Sequence, residues 1–136
     1  MALKTCVAGL VLLLAAAAAH AAEECPAKSA GMEEILSVLN GAPSCERAMK
    51  LFEACAYGAS GDVQFGAAVE KKCEAEFFGR LKPPQSPSYR RELRICDGKY
   101  RSRSGTMYLS ATAFCRAGVA QRYARQASKS AGGAAR

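Results

Sequence analysis

Residues 44–56 read Ser44-Cys45-Glu46-Arg47-Ala48-Met49-Lys50-Leu51-Phe52-Glu53-Ala54-Cys55-Ala56. Cys45, Ala48, Met49, Phe52, Cys55 and Ala56 recur at helical spacing, which puts them on one face of a helix. Ser44 is a good N-cap, because its hydroxyl can accept a first-turn N–H that has no partner inside the helix. The two cysteines are ten residues apart, so on an intact helix they stand about 15 Å apart along the axis. A disulfide needs Cα atoms within about 7 Å. Cys45 and Cys55 therefore cannot bond to each other, and each must reach a neighbouring segment. A helix tied to others at both ends implies a cross-linked bundle.

The flanking sequence continues the helical pattern. Upstream, Met32, Ile35, Leu36 and Leu39 repeat at helical spacing until Asn40-Gly41 and Pro43 end the run. Downstream, Tyr57-Gly-Ala-Ser-Gly61 is a turn, and Asp62 can cap a third helix carrying Phe65, Val69, Cys73 and Phe77, closed by Gly79. Pro83, Pro84 and Pro87 make Leu81 to Ser88 an extended linker. Ser88 then opens a fourth helix with Tyr89, Leu93, Cys96 and Tyr100 on one side. Ser104-Gly105 interrupts, and Thr106 caps a last helix with Tyr108, Ala111, Cys115 and Val119 facing inward. Ser128 to Arg136 is Ser, Ala and Gly with two positive charges and reads as a disordered tail. No alternating strand pattern occurs. The expectation is an all-α fold, a small four- to five-helix bundle stapled by three disulfides, with residues 22–127 as a single cysteine-rich domain.

The count of three disulfides follows from the chain's start. Lys4 precedes an apolar run from Val7 to Ala19, and Ala19-His20-Ala21 fits the small-x-small rule, so residues 1–21 read as a signal peptide. Of the seven cysteines, Cys6 would leave with it, as would the one histidine, His20. The mature chain then has no transmembrane span, lies in the periplasm or is secreted, and keeps six cysteines in an oxidising compartment. Disulfides would also offset a meagre interior. Leu, Ile, Val and Phe number 17 in residues 22–136, below the roughly 20% at which a charged chain usually folds unaided.

If sequential helices run up and down, the turn at residues 58–61 sets Cys45 and Cys73 at similar depth, and Gly105 does the same for Cys96 and Cys115. Cys25 is left with Cys55. The expected pairing is 25–55, 45–73 and 96–115. The closest cysteine pair is C-x9-C and the mature chain lacks histidine, so no metal site is expected.

Catalysis is poorly provided for. There is no Ser-His or Cys-His pair, no free thiolate, and no phosphate-binding glycine loop or other cofactor motif. Glu70, Glu74 and Glu76 share a helix with Lys71 and Lys72 and read as a solvated, salt-bridged face. The expectation is a protein that is not an enzyme and carries no cofactor. Charge is more informative. Residues 22–79 hold 10 acids against 5 bases, and residues 80–136 hold 2 against 13. Arg90, Arg91, Arg94, Arg101 and Arg103 concentrate in the basic half, where they either grip an anionic lipid or glycan surface or offset the acidic half. Nucleic acid is not expected, since no aromatic residues interleave with the bases for stacking. The Tyr57 to Asp62 turn is a second candidate contact, as exposed tight loops often carry function.

Cys45-Glu-Arg-Ala-Met-Lys-Leu-Phe-Glu-Ala-Cys55 resembles the paired cysteines that open the LprI-like lysozyme-inhibitor domain. Arg94-Ile-Cys96, Ser104-Gly105-Thr106-Met107, Phe114-Cys115 and Arg122 resemble its closing segment, over residues 44–127 in all. Tyr89 stands where that family often has a tryptophan. The resemblance implies a small exported helical protein that blocks a cell-wall-cleaving muramidase by protein–protein binding. Muramidases are commonly basic, so such a partner would dock on the acidic half, through the turn bearing Tyr57 and Asp62.

Overall fold

Phe65, Val69, Cys73 and Phe77 are wholly buried along one side of a single helix, and the rest of the molecule is arranged around that row. In the structure, a computed structural model that describes residues 22–134, five helices follow one another: α1 (Met32–Asn40), α2 (Cys45–Cys55), α3 (Asp62–Phe77), α4 (Gln85–Lys99) and α5 (Thr106–Ala134). A 3₁₀ turn at Phe78–Arg80 follows α3. The described residues contain no strand. The signal-peptide reading, with Cys6 and His20, lies outside them.

The protein is all-α. α3 and α5 form its central pair, α1 and α2 cover one side of α3, and α4 packs on α5. α3 and α5 run parallel, since Asp62 lies against Ser110 and Glu70 against Arg116. α2 and α4 run the other way. At the crossing, a Cβ on Gly66 would come within 2.8 Å of the Ala113 Cβ and 3.0 Å of its carbonyl oxygen. Only glycine permits that approach.

The sulfur pairs are Cys25–Cys55, Cys45–Cys73 and Cys96–Cys115, with Cα separations of 4.8, 4.5 and 5.6 Å. This is the pairing expected from the cysteine heights. Ser44 caps α2 by accepting the Arg47 N–H at 3.2 Å. At the far end of α3, Phe77, Tyr89 and Tyr123 meet with ring centroids 5.0 to 5.6 Å apart, and Phe52 stacks on Phe114 at 4.0 Å.

Three sequence expectations need correction. The segment expected as an extended linker is instead a turn at Lys82–Gln85, closed by the Gln85 N–H on the Lys82 carbonyl at 2.9 Å, and α4 starts at Gln85 rather than Ser88 and takes Pro87 into its first turn. A missing N–H costs nothing there, where it would have no helical partner. The buried residues of α5 are Ser110, Ala113, Ala117, Val119, Ala120, Tyr123 and Ala124, so Val119 faces inward as expected, while Tyr108, Ala111 and Cys115 are half-buried. Near the Gly66 crossing α5 presents Ser110, Ala113 and Ala117, and farther along it adds Val119 and Tyr123, the latter against Phe77. Finally, residues 128–134 continue α5 instead of forming a disordered tail. Alanine favours the helix already propagating from the packed segment, and Ser130 and Ala131 face Leu81 across a cleft.

Candidate functional site

The α2–α3 turn is built on one buried carboxylate. Asp62 is fully buried at the start of α3. Its Oδ1 accepts the Tyr57 N–H at 2.8 Å, and its Oδ2 accepts the Gly58 N–H at 2.9 Å and the Ser110 hydroxyl at 2.6 Å. Asp62 therefore fastens the turn to α5 from inside, which corrects its reading as a surface contact. Tyr57 does lie at the surface, 41% exposed. Its hydroxyl donates to the Ala30 carbonyl, and its ring meets Phe65 edge-on at 5.1 Å. Gly58 takes φ +69°, a conformation that side-chain-bearing residues rarely adopt. The turn is a rigid projection.

The arginines occupy a different surface. α4 buries Tyr89, Leu93 and Cys96, so the opposite side of the helix faces solvent with Arg90, Arg91 and Arg94. Lys99 ends the helix, and Arg101 and Arg103 follow in the exposed turn to α5. That turn lies at the same end of the bundle as Tyr57, because Asp62 ties the α2–α3 turn to Ser110 in the first part of α5. The structure thus brings the five predicted arginines together along α4 and its exit. None of them is in an ion pair among the described residues.

Five carboxylates among the described residues, by contrast, are in ion pairs. Glu23 pairs with Arg47, Glu46 with Arg125, Glu70 and Asp97 with Arg116, and Glu92 with Arg122. Glu76 accepts the Cys45 N–H at 2.6 Å, at the start of α2. Glu34 accepts the Ser29 hydroxyl and the N–H groups of Ser29 and Lys28, which hold its pKa below the ordinary value. The Arg125 hydrogen bond does the same for Glu46, against a smaller desolvation. Of the ten acids in residues 22–79, Glu23, Glu46 and Glu70 are in ion pairs, while Glu34, Asp62, Glu74 and Glu76 hydrogen-bond to neutral donors.

A groove of about 410 Å³ opens between α3, α5 and the end of α4, with Val63, Ala67 and Leu109 on its walls and Glu70, Asp97 and Arg116 among its polar groups. Arg116 donates through Nε and Nη2 to both oxygens of Glu70, at 3.0 and 2.8 Å, and through Nη1 to both oxygens of Asp97, each at 2.8 Å. Burial opposes its charge, but these two carboxylates outweigh burial and raise its pKa. The Tyr89 hydroxyl donates to Glu74 at 2.9 Å. Burial first, then Glu74, pushes the Tyr89 pKa far above the usual phenol range. Glu70 and Glu74 are thus salt-bridged or hydrogen-bonded as read, but to Arg116 and Tyr89 rather than to Lys71 and Lys72. Lys72 instead donates to the Asn40 carbonyl at 2.8 Å.

With all three guanidinium nitrogens donating to a carboxylate, Arg116 clamps α3, α4 and α5 together. It was missed in the sequence, although Asp97 and Arg116 each directly follow a cysteine of one disulfide, which places them at one level of the bundle. Among the described residues, no cluster of His, Cys, Asp or Glu is arranged to hold a metal ion, and no helix is long and apolar enough to cross a membrane.

Comparison of the chain with models of known protein families, with characterised proteins and with solved structures finds no match.

Proposed function

We propose that this is an exported, disulfide-locked binding protein whose working surface is the arginine face of α4, directed at an anionic lipid or glycan of the cell envelope. One observation carries the reading: Arg90, Arg91, Arg94, Arg101 and Arg103 are exposed and without ion pairs among the described residues, while Arg116, Arg122 and Arg125 of the same basic half pair with Glu70, Asp97, Glu92 and Glu46. A basic patch that served only to offset the acidic half would pair with it. None of these five arginines does so among the described residues. Several unpaired cations on one surface raise the local concentration of an anionic partner and speed encounter with it. The three cross-links suit an oxidising compartment.

The test is retention of the oxidised protein on immobilised heparin and on anionic vesicles over a salt series. Binding should weaken steeply as salt rises, because exposed charges are screened within a Debye length of about 8 Å near physiological ionic strength. The Arg90→Gln/Arg91→Gln/Arg94→Gln variant should bind weakly to both. No binding at low salt, or full binding by the triple variant, would overturn the proposal.

A second reading, inhibition of a muramidase as the family resemblance implies, is supported by the rigidity of the α2–α3 turn, since a pre-organised projection loses little entropy on docking. Tyr57 would be its contact and Asp62 its internal brace. The charge argument for this reading stands first on Glu24, Glu33 and Glu53, whose carboxylates have no hydrogen-bond partner among the described residues of the acidic half. A lysozyme turnover assay at excess protein tests it. Full enzyme activity there removes it.

A further inference from the structure

The outer side of α4 is not purely ionic. Ile95 is 59% exposed and lies opposite the buried row of Tyr89, Leu93 and Cys96. On a 3.6-residue period its neighbours one turn away are Arg91 and Lys99 at four residues and Glu92 and Gly98 at three; Glu92 turns to Arg122 and Tyr123, and Arg94 lies about 100° around the helix from Ile95. The next position on this outer stripe is Gly98, which has no side chain and around which a Cβ would meet nothing. The result is a convex helix face on which one aliphatic side chain is flanked along the axis by Arg91 and Lys99, with Arg94 to one side.

A soluble polyanion has no use for Ile95, because a hydrated glycan cannot bury it. A second copy of this chain would bring the same cations against each other. A convex cationic face with an apolar residue at its centre instead matches a planar surface that is anionic outside and apolar just beneath. We infer that the α4 face lies flat on an anionic lipid bilayer, with Ile95 reaching the headgroup–acyl boundary while Arg91, Arg94 and Lys99 contact lipid phosphates. This inference rests on the arginine-face reading and names its partner. The arginine and lysine stems can pack along the aliphatic boundary while their charged ends stay at headgroup level.

The sequence contains no tryptophan, so Ile95→Trp introduces a single reporter at the position in question. The experiment compares oxidised wild type, Ile95→Ser and Ile95→Trp on vesicles of phosphatidylglycerol and phosphatidylcholine, on pure phosphatidylcholine vesicles, and on heparin. Ile95 is solvent-exposed, so the variants should keep the wild-type circular dichroism spectrum. Wild type should bind the anionic vesicles and not the zwitterionic ones. Ile95→Ser should lose about fivefold in affinity for anionic vesicles, from the apolar area no longer buried, and nothing on heparin. Ile95→Trp emission should shift to the blue on anionic vesicles, be quenched by brominated acyl chains, and stay unshifted on heparin. Unchanged vesicle affinity of Ile95→Ser, or unshifted emission from vesicle-bound Ile95→Trp, overturns the bilayer inference and leaves the arginine-face proposal intact if heparin still binds. Absence of binding to both vesicles and heparin overturns both.

Discussion

Removing the Cys45–Cys73 cross-link should cost the protein a large part of its stability. The bond closes a loop with a sequence separation of 28, and the chain-entropy treatment gives about 3.6 kcal/mol for a loop of that size. Both cysteines are fully buried, so Cys45→Ala/Cys73→Ala also leaves part of the sulfur volume empty in a close-packed interior. Domain stabilities are about 5–15 kcal/mol, and this interior is poor in large aliphatic groups. The variant should therefore melt roughly 15–25 °C below wild type, at several degrees per kcal/mol. Cys96→Ala/Cys115→Ala closes a shorter loop, with a separation of 19, and should cost less. α4 would still be held by Arg116 to Asp97, by Tyr89 to Glu74 and by Glu92 to Arg122 and Tyr123. Urea unfolding followed by circular dichroism at 222 nm measures both variants. A loss below about 1 kcal/mol for Cys45→Ala/Cys73→Ala would refute the argument that cross-links stand in for a small core.

Three further outcomes are expected. Gly66→Ala should destabilise by about 1–2 kcal/mol, the overpacking against Ala113 exceeding the gain in helix propensity, whereas Gly118→Ala, where a Cβ meets nothing, should stabilise by up to about 1 kcal/mol; thermal melts of the two give opposite signs. Asp62→Ala leaves two N–H groups and the Ser110 hydroxyl without their acceptor and should cost about 3 kcal/mol, with fast amide exchange at Tyr57 and Gly58 as the local signature. The raised pKa of Tyr89 means that its stabilising contribution is complete below the usual phenol value of 10.0 and is lost as pH climbs above it. Tyrosinate absorbance at 295 nm should therefore show Tyr89 ionising only with alkaline unfolding, and stability to alkali should be less pH-dependent in Tyr89→Phe.

The sequence yielded most where large side chains and geometry constrain the answer. Phe65, Val69, Cys73 and Phe77 define the inward face of α3 without ambiguity, and the rise per residue on α2 forbids a 45–55 bond and so points toward the observed pairing. It yielded less on α5, whose packed row is mostly alanine. Alanine gives almost no amphipathic signal, and the larger Tyr108 and Cys115 dominate the pattern although both are only half-buried. Arg116 was not legible because its partners lie on other helices, and nothing local distinguishes it from a solvated arginine. Asp62 was read as a cap on an exposed turn because aspartate is rarely fully buried; the two N–H groups and the hydroxyl that compensate its burial come from residues 57, 58 and 110. The five arginines were legible as a cluster from spacing alone. Their lack of ion pairs was not, since it depends on which cations the distant carboxylates choose.

The location of the working surface can be read directly from amide chemical shifts of the oxidised, isotopically labelled protein titrated with short-chain phosphatidylglycerol. The perturbed amides should cluster on Arg90, Arg91, Arg94 and Ile95 and extend to Arg101 and Arg103, with Tyr57 and Gly58 unmoved. Shifts confined to the α2–α3 turn, or none at saturating lipid, would contradict the assignment of function to the arginine face of α4.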